Sequence, residues 1–314
     1  MRQKRLTTLV LVCIGLVLFG FVALYYKSPD WVAKSALGLE RLKSGLKKRS
    51  LTVDNMRFAY LTGGKGPVLL MLHGFGGSKD NFTRLAGYLS DDYKVIIPDL
   101  PGFGESTRNP AWDYAIPSQA LRLHAFIDAM GLKSFHLSGN SMGGGIAVAY
   151  AVNHPERVES LFLLDPGPIK NAPPSELFQM VEKGKNPFFI DNLQDYDELM
   201  EMAFADMPFI PRPIRVYFAR QMIADRKFLE KAMNDLIPDP YPLETNITQY
   251  PGPVMAVWGD QDRIMHPDCA TILADKSPRI DKAIIEDCGH LPMLEKPKET
   301  ARLYLNFLTD MPAN

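Results

Sequence analysis

Short apolar runs recur along the chain from residue 51 onward, and segments with helical spacing separate most of them. Several of these runs are continuous instead of alternating, which is typical of strands covered by helices on both faces of a parallel sheet. The pattern therefore predicts an α/β fold with a mostly parallel, doubly wound sheet. The predicted strands are 51–61, 67–72, 93–98, 134–139, 158–164, 253–258 and 282–286.

The alternation stops between Asp165 and Val254, where the chain is rich in proline, methionine and phenylalanine. A stretch of this length is too long for an irregular loop, so it must carry helices of its own. We predict that residues 166–249 form a helical lid inserted into the sheet domain. Its methionines and aromatic residues either form the core of the insertion or line an apolar site for an acyl chain.

The amino terminus has a different pattern. Met1-Arg2-Gln3-Lys4-Arg5 precedes an uncharged run from Leu6 to Tyr26, which as a helix would be about 31 Å long and could cross a bilayer. We interpret residues 1–27 as a transmembrane anchor. A cleaved signal peptide is the alternative, but its apolar run is usually shorter, and no small-x-small site precedes Lys27.

Residues 28–50 follow with helical spacing, in which Trp31 and several leucines alternate with basic residues. This juxtamembrane helix either lies along anionic headgroups or packs on its own domain.

Basic residues flank the apolar run 6–26 on both sides, so their count does not decide the orientation of the anchor in the membrane. A single uncleaved N-terminal segment favours a cytoplasmic amino terminus with the globular part on the extracytoplasmic side.

Composition narrows the classes of partner. The chain has 35 Lys and Arg against 36 Asp and Glu, and this balance argues against a general nucleic-acid binding role.

Cys269 and Cys288 could pair in an oxidising compartment, but their spacing in the sequence does not establish this.

The strongest motif lies in residues 135–150, where a short apolar strand runs directly into a helix of small residues. The junction carries Gly-x-Ser-x-Gly, from Gly139 to Gly143. In a strand-to-helix elbow of this kind the serine is exposed above the sheet, and glycines permit the tight packing. The sequence predicts Ser141 as a nucleophile and places the Met142 N–H at a helix amino terminus, where it could bind an oxyanion.

A serine nucleophile needs a base and a carboxylate that orients the base. His290 follows the last predicted strand, and Asp262 follows the strand before it. Asp260 is better explained as a turn residue, while Asp165, after the strand that follows the elbow helix, is a third candidate acid. The order Ser141, Asp262, His290 is the one expected for such an elbow. The five other histidines are predicted to be structural.

A glycine-rich loop, His73-Gly74-Phe75-Gly76-Gly77-Ser78, follows another predicted strand. The Phe75 N–H would pair with that of Met142 as an oxyanion hole, and His73 would brace the loop. A dinucleotide-binding loop is the alternative, but the spacing does not give Gly-x-Gly-x-x-Gly with a suitable acidic residue.

These residues resemble the α/β-hydrolase superfamily from Leu51 to the carboxyl terminus. Four segments are similar to bacterial lipases of family V: residues 73–84 (HGFGGSKDNFTR), 97–106 (IPDLPGFGES), 139–144 (GNSMGG) and 257–267 (VWGDQDRIMHP). The arrangement is also similar to membrane-anchored monoacylglycerol lipases and to a bacterial inner-membrane phospholipase A.

The resemblance implies an α/β-hydrolase core (51–165 and 250–314) with a helical lid (166–249) and carboxylic ester hydrolysis through an acyl-enzyme. It makes Ser141 the nucleophile, Asp262 the acid and His290 the base, with Phe75 and Met142 as oxyanion donors and no metal or organic cofactor. The implied substrates are phospholipids, lysophospholipids or acylglycerols, with a fatty acid as product.

For location, the predicted anchor together with the resemblance suggests a single-pass protein of the inner membrane with a periplasmic or extracytoplasmic catalytic domain. The two N-terminal segments also suit a homodimer. A carbon-carbon bond hydrolase of the ring-cleavage type shares the fold and the triad and stays as the alternative function. The predicted anchor argues against it, because the substrates of those enzymes are soluble.

Overall fold

An eight-stranded sheet forms the centre of the protein. In the computed structural model, which describes residues 24–237 and 241–311, the strand order is β1-β2-β4-β3-β5-β6-β7-β8. The β1–β2 and β2–β4 pairs are antiparallel and the other five are parallel. The predicted mostly parallel sheet is therefore confirmed. The strands are β1 (Lys47–Val53), β2 (Met56–Gly63), β3 (Val68–Leu72), β4 (Lys94–Pro98), β5 (Phe135–Asn140), β6 (Val158–Leu164), β7 (Val254–Gly259) and β8 (Ile280–Ile285).

Helices cover both faces of this sheet. One hydrophobic core lies between the sheet and helices α3, α4 and α8, and a second lies between the opposite face and helices α2 and α11. The helices are α1 (Pro29–Lys43), α2 (Thr83–Ala86), α3 (Ile116–Ala129), α4 (Met142–Asn153), α5 (Glu176–Glu182), α6 (Leu193–Ala203), α7 (Arg212–Leu236), α8 (Leu243–Asn246), α9 (Cys269–Ala274), α10 (Pro292–Glu295) and α11 (Pro297–Thr309), with 3-10 turns at Lys79–Phe82 and Ile247–Gln249.

The first predicted strand, 51–61, is two strands of a hairpin. The chain reverses at Asp54 and Asn55, whose φ angles are 47° and 65°. Asp and Asn tolerate this left-handed region better than other residues with side chains, which makes them suitable for a two-residue hairpin turn. Because β1 begins at Lys47, the predicted juxtamembrane helix was too long. It ends at Lys43, just before Gly45, whose φ is 68°.

Between β6 and β7 the chain inserts α5 to α8, so the segment 166–249 does carry helices. The longest is α7, with 25 residues. This insertion packs against α1, where Arg220 of α7 pairs with Asp30 at 3.1 Å and Lys34 lies over the Tyr217 ring at 5.8 Å. One face of α1 is therefore buried on the domain.

The predicted anchor falls almost entirely on residues 1–23, which lie outside the described part of the chain. Among the helices of residues 24–237 and 241–311, none has the length and apolar character that crossing a bilayer requires. Cys269 and Cys288 are both buried and both free thiols, so the disulfide left open by the sequence is not formed.

Candidate active site

Ser141 lies at the junction of β5 and α4 in a conformation that few residues adopt. Its φ is 55° and its ψ is −122°, a strained geometry of the kind that is found at functional sites and costs about 1–3 kcal/mol. The packing around it leaves no space for side chains. A Cβ on Gly139 would lie 2.2 Å from the Gly143 oxygen, and one on Gly143 would lie 2.4 Å from the Leu72 oxygen. The glycines of the motif are thus required by close backbone contact.

His290 and Asp262 form a buried pair. Nδ1 of His290 lies 2.7 Å from Oδ2 of Asp262, and their side chains are 5% and 0% exposed. The other carboxylate oxygen of Asp262 accepts backbone N–H groups from Ile264 at 2.7 Å and Met265 at 2.9 Å. The turn after β7 therefore satisfies and orients this carboxylate, which in turn orients the imidazole.

The loop that carries His290 is held from two sides. Its backbone N–H donates to the Ala203 oxygen at 2.8 Å, and its carbonyl accepts Nδ2 of Asn140 at 3.0 Å. Glu295 also joins this loop to the inserted segment, because its carboxylate accepts the N–H of Gly289 at 2.9 Å and that of Asp206 at 2.7 Å. The imidazole is consequently fixed to both the elbow strand and the inserted segment.

His73 braces the glycine-rich loop after β3. Its Nε2 accepts the Leu100 N–H at 2.9 Å, so Nδ1 carries the proton and donates to the Gly74 oxygen at 2.8 Å. Burial lowers the pKa of His73 and keeps the ring neutral. The ring therefore fixes the backbone beside Phe75, while Met142 is the first residue of α4, where N–H groups have no partner within the helix.

A buried charge cluster, which the sequence analysis missed, supports the same loop. The Lys79 ammonium lies 2.8 Å from Asp99 and 3.0 Å from Glu105, and the Lys79 N–H donates to Asp99 at 2.6 Å. Burial acts to lower the pKa of Lys79, but Asp99 and the other nearby carboxylates outweigh it and raise the pKa. Lys79 lies in segment 73–84 and its partners lie in segment 97–106, two of the segments that carry the resemblance, but the sequence alone does not show that they meet.

An apolar cavity opens above the elbow. Ser141, His290 and Phe75 all line it, together with residues of α6 and α7 and two residues of α1, Leu37 and Glu40. Its other large apolar residues include Phe188, Met200, Phe204, Phe218 and Met222. Some methionines and aromatics of the insertion form its core, and others face the cavity. The contribution of α1 to the wall was not predicted.

The two remaining acid candidates occupy different positions. Asp260 accepts the Cys288 N–H at 3.2 Å, as a turn residue does. Asp165 is fully buried, and its carboxylate lies with the donor atoms of Asp262 and His290 within 4.8 Å of one another. Among the described residues this trio is the one group close enough to hold a metal ion. The Nδ1–Oδ2 hydrogen bond already uses two of these donor atoms.

Comparison with known proteins identifies relatives of this chain. A family model described as the alpha/beta hydrolase fold matches residues 67–193. Lipase 3 of Moraxella sp. (strain TA144) is 37% identical over 276 residues, which cover 85% of this chain and 86% of that protein. The chain belongs to the α/β-hydrolase family. This α/β hydrolase is a carboxylic ester hydrolase, as the resemblance implied.

Two further comparisons cover a larger share of the hydrolase. The crystal structure of a membrane phospholipase A, described as a bacterial virulence factor, superimposes with a TM-score of 0.88 at 37% identity, covering 96% of this chain and 98% of that one. The human monoacylglycerol lipase ABHD6 is 26% identical over 95% of this chain and 93% of its own length.

The other histidines of the α/β hydrolase have structural surroundings. His124 and His154 stack at a centroid distance of 4.2 Å, His136 contacts the Ser160 hydroxyl at 2.9 Å, and His266 accepts the Asp268 N–H at 3.2 Å. Within the described part of the chain, His290 is the one histidine that lines the cavity.

Proposed function

We propose that the chain is a membrane-anchored serine hydrolase of lipid esters that works through Ser141, His290 and Asp262. The observation that carries the proposal is the 2.7 Å contact between His290 Nδ1 and Asp262 Oδ2, in a cavity that Ser141 also lines. This contact leaves Nε2 of the imidazole available to take a proton from the serine hydroxyl.

The proposed reaction has two acyl-transfer steps. Ser141 Oγ attacks the ester carbonyl while its proton passes to His290 Nε2, and the tetrahedral oxyanion accepts the N–H groups of Phe75 and Met142. His290 then gives the proton to the leaving alcohol, which departs and leaves an acyl-enzyme. Water repeats the sequence and releases the fatty acid. Loss of one oxyanion donor typically costs about 3 kcal/mol of transition-state stabilisation.

A lipid ester suits the cavity better than a small polar ester. Twelve of the residues that line it are phenylalanine, methionine or leucine, and these side chains come from the inserted segment as well as from the core. An acyl chain bound there would remove apolar surface from water on both partners. The names of the relatives, lipase, monoacylglycerol lipase and phospholipase A, support the same substrate class. We propose that α5 to α8 act as the lid over this site.

Membrane association has support from the surface beside the cavity. Trp31 and Leu42 on α1 are 58% and 73% exposed, and Phe209 is 85% exposed next to the cavity residue Ile210. With the uncharged run 6–26 as an anchor, the protein would sit on the inner membrane with its catalytic domain on the periplasmic side. The exposed face of α1 would then lie at the headgroups. A homodimer through the same segments is part of this proposal.

The test uses detergent-purified full-length protein beside Ser141→Ala, with a folded state checked by circular dichroism. Both are given monoacylglycerol, triacylglycerol, lysophospholipid, diacyl phospholipid, a short p-nitrophenyl ester and a ring-cleavage product with a carbon-carbon bond to hydrolyse. We expect fatty acid release from at least one lipid and none from the variant. If the folded wild type cleaves only the ring-cleavage product, the carbon-carbon hydrolase is correct and the proposal is wrong.

A further inference from the structure

A second carboxylate lies beside the acid–base pair, and the mechanism above gives it no role. Asp165 follows β6 directly and is completely buried. Its φ is 45°, an uncommon left-handed value for a residue with a side chain. Its backbone N–H donates to the Val257 oxygen at 2.9 Å. The tight turn after β6 thus points this carboxylate at the space between the ends of β6 and β7.

The hydrogen bonds of the two carboxylates are unequal. Asp262 receives two backbone N–H groups on Oδ1, and its Oδ2 lies 2.7 Å from the His290 ring nitrogen. Asp165 receives a single N–H, from Gly259 at 3.0 Å on Oδ1, and its buried Oδ2 has no partner. Donors on a carboxylate stabilise its charged form, and Asp165 has fewer of them than Asp262.

The titratable groups that face Asp165 carry negative charge or none, with His290 as the exception. Asp262 and Glu295 are acidic, and the Cys269 and Cys288 thiols stay protonated because burial raises the pKa of each. His290 is the one group there able to become a cation, and Asp262 is already hydrogen-bonded to it. Burial and the Asp262 carboxylate raise the pKa of Asp165 well above its ordinary value. Two carboxylates that share one buried site do not both ionise.

We propose that Asp165 is a protonated carboxylic acid whose O–H group donates a hydrogen bond to Oδ2 of Asp262. This makes Asp165 a positioning residue of the acid–base pair. The inference rests on the proposed roles of Asp262 and His290.

The proposed bond has two effects on the pair. Oδ2 of Asp262 accepts two hydrogen bonds, from the His290 ring and from Asp165, so its direction toward the imidazole is fixed on both sides. The site also keeps one negative charge opposite the imidazole instead of two. A second ionised carboxylate would favour the imidazolium and move the pH at which the ring loses its proton.

Infrared difference spectroscopy tests the protonation state without any reliance on activity. The full-length wild type is compared with Asp165→Asn, an isosteric variant whose amide can donate to Asp262 and accept from Gly259. At pH 7 we expect a carbonyl stretch of a protonated carboxylic acid that is present in the wild type and missing in the variant. A carboxylate band in its place would overturn the inference. The spectrum requires no turnover. This test of Asp165 therefore gives a result even if the protein does not hydrolyse lipid esters.

The pH profile of kcat/KM, measured with a short p-nitrophenyl ester, tests whether Asp165 positions the Asp262–His290 pair. Asp165→Asn should keep the activity, and the midpoint of its acid limb should stay within about 0.3 pH unit of the wild type, because the charge of the site is unchanged. Asp165→Ala lacks the donor and should lose roughly tenfold or more. A shift of the acid limb in Asp165→Asn by about one unit or more, or a loss as large as that of Asp165→Ala, would show that an ionised Asp165 is required.

Discussion

Arg41 of α1 donates two hydrogen bonds to the carboxylate of Asp80, at 2.6 and 2.7 Å, across 39 positions of sequence. Asp80 belongs to the 3-10 turn that follows the glycine-rich loop, and its neighbour Lys79 anchors that loop to Asp99. Helix α1, which also lines the cavity through Leu37, is therefore fixed to the segment that would supply an oxyanion donor.

We expect Arg41→Ala to lower the free energy of unfolding by about 3 kcal/mol, because it leaves a largely buried carboxylate without its bidentate partner. The Arg41 and Asp80 side chains are only 16% and 8% exposed. Arg220→Ala is the matched control, since it breaks an ion pair to the same helix with side chains that are 60% and 52% exposed. It should cost less than about 1 kcal/mol.

Denaturant unfolding of the single variants and of Arg41→Ala with Asp80→Ala measures the coupling between the two residues. Equal losses in Arg41→Ala and Arg220→Ala, or a double variant whose loss is the sum of the two single losses, would contradict a strong bond between α1 and the loop.

The tight packing of the elbow predicts the effect of a larger residue at position 143. In Gly143→Ala the new Cβ would lie 2.4 Å from the Leu72 oxygen and 2.6 Å from the His73 oxygen. Both atoms are backbone, so α4 must move away from β3 and take Ser141 with it. We expect ester hydrolysis to fall by about a hundredfold, the cost of a displacement near 1 Å, and stability to fall by about 1–3 kcal/mol.

Gly38→Ala is the control for that substitution. A Cβ on Gly38 meets no atom within 4 Å, and the residue lies inside α1, where alanine is favoured over glycine by up to about 1 kcal/mol. Full activity and equal or higher stability are expected from it. Unchanged kcat/KM in Gly143→Ala would mean that the elbow tolerates the shift and that its glycines are not required by the packing.

Features formed by contiguous residues could be predicted from the sequence, whereas contacts between distant segments could not. The elbow was readable because strand, serine and helix are contiguous, and Asp262 and His290 lie three and five residues after the ends of β7 and β8. Local patterns could not show that Asp165 approaches Asp262, because that contact depends on the pairing of β6 with β7. The hairpin turn at Asp54 and Asn55 was overlooked, although both residues favour turns.

The packing of α1 was also beyond the sequence, for a different reason. An amphipathic helix has one apolar face whether it lies on a membrane or on its own domain, and the composition does not distinguish these surfaces. The structure buries Ala33 and Leu37 and leaves Trp31 and Leu42 exposed. The buried face of α1 therefore packs on the domain, and its exposed face remains for the proposed membrane contact.

That exposed surface predicts a substrate-dependent effect. Phe209→Ser should lower the rate on phospholipid vesicles at least about threefold, since insertion of a phenylalanine that is 85% exposed would contribute up to about 2–3 kcal/mol to membrane contact. Hydrolysis of a soluble p-nitrophenyl ester should not change. Leu121→Ser is the matched control, because Leu121 is 70% exposed on α3 and does not line the cavity.

Both rates are measured on wild type, Phe209→Ser and Leu121→Ser at equal protein concentration, with vesicle binding by flotation. Equal vesicle rates for the two variants would show that the face beside Ile210 does not contact the lipid. A parallel loss on the soluble ester would mean that Phe209 shapes the site instead.

The last prediction concerns acid stability and the buried charge cluster. Burial acts to raise the pKa of Glu105, but a hydrogen bond from Lys48 and the charge of Lys79 outweigh it and lower the pKa to about 2. The ordinary value is 4.5, so the unfolded chain takes up this proton more readily than the folded protein. The stabilisation by Glu105 is therefore complete above pH 4.5 and disappears as the pH falls toward 2.

Glu105→Gln cannot titrate, so the melting temperature of the variant should fall less steeply than that of the wild type between pH 4.5 and 2. At neutral pH the variant should be the less stable of the two. The Glu105 side chain is 37% exposed, and added salt should narrow the difference because solvent ions screen a partly exposed pair. Parallel melting curves for the two proteins across this pH range would show that the cluster does not depend on the charge of Glu105.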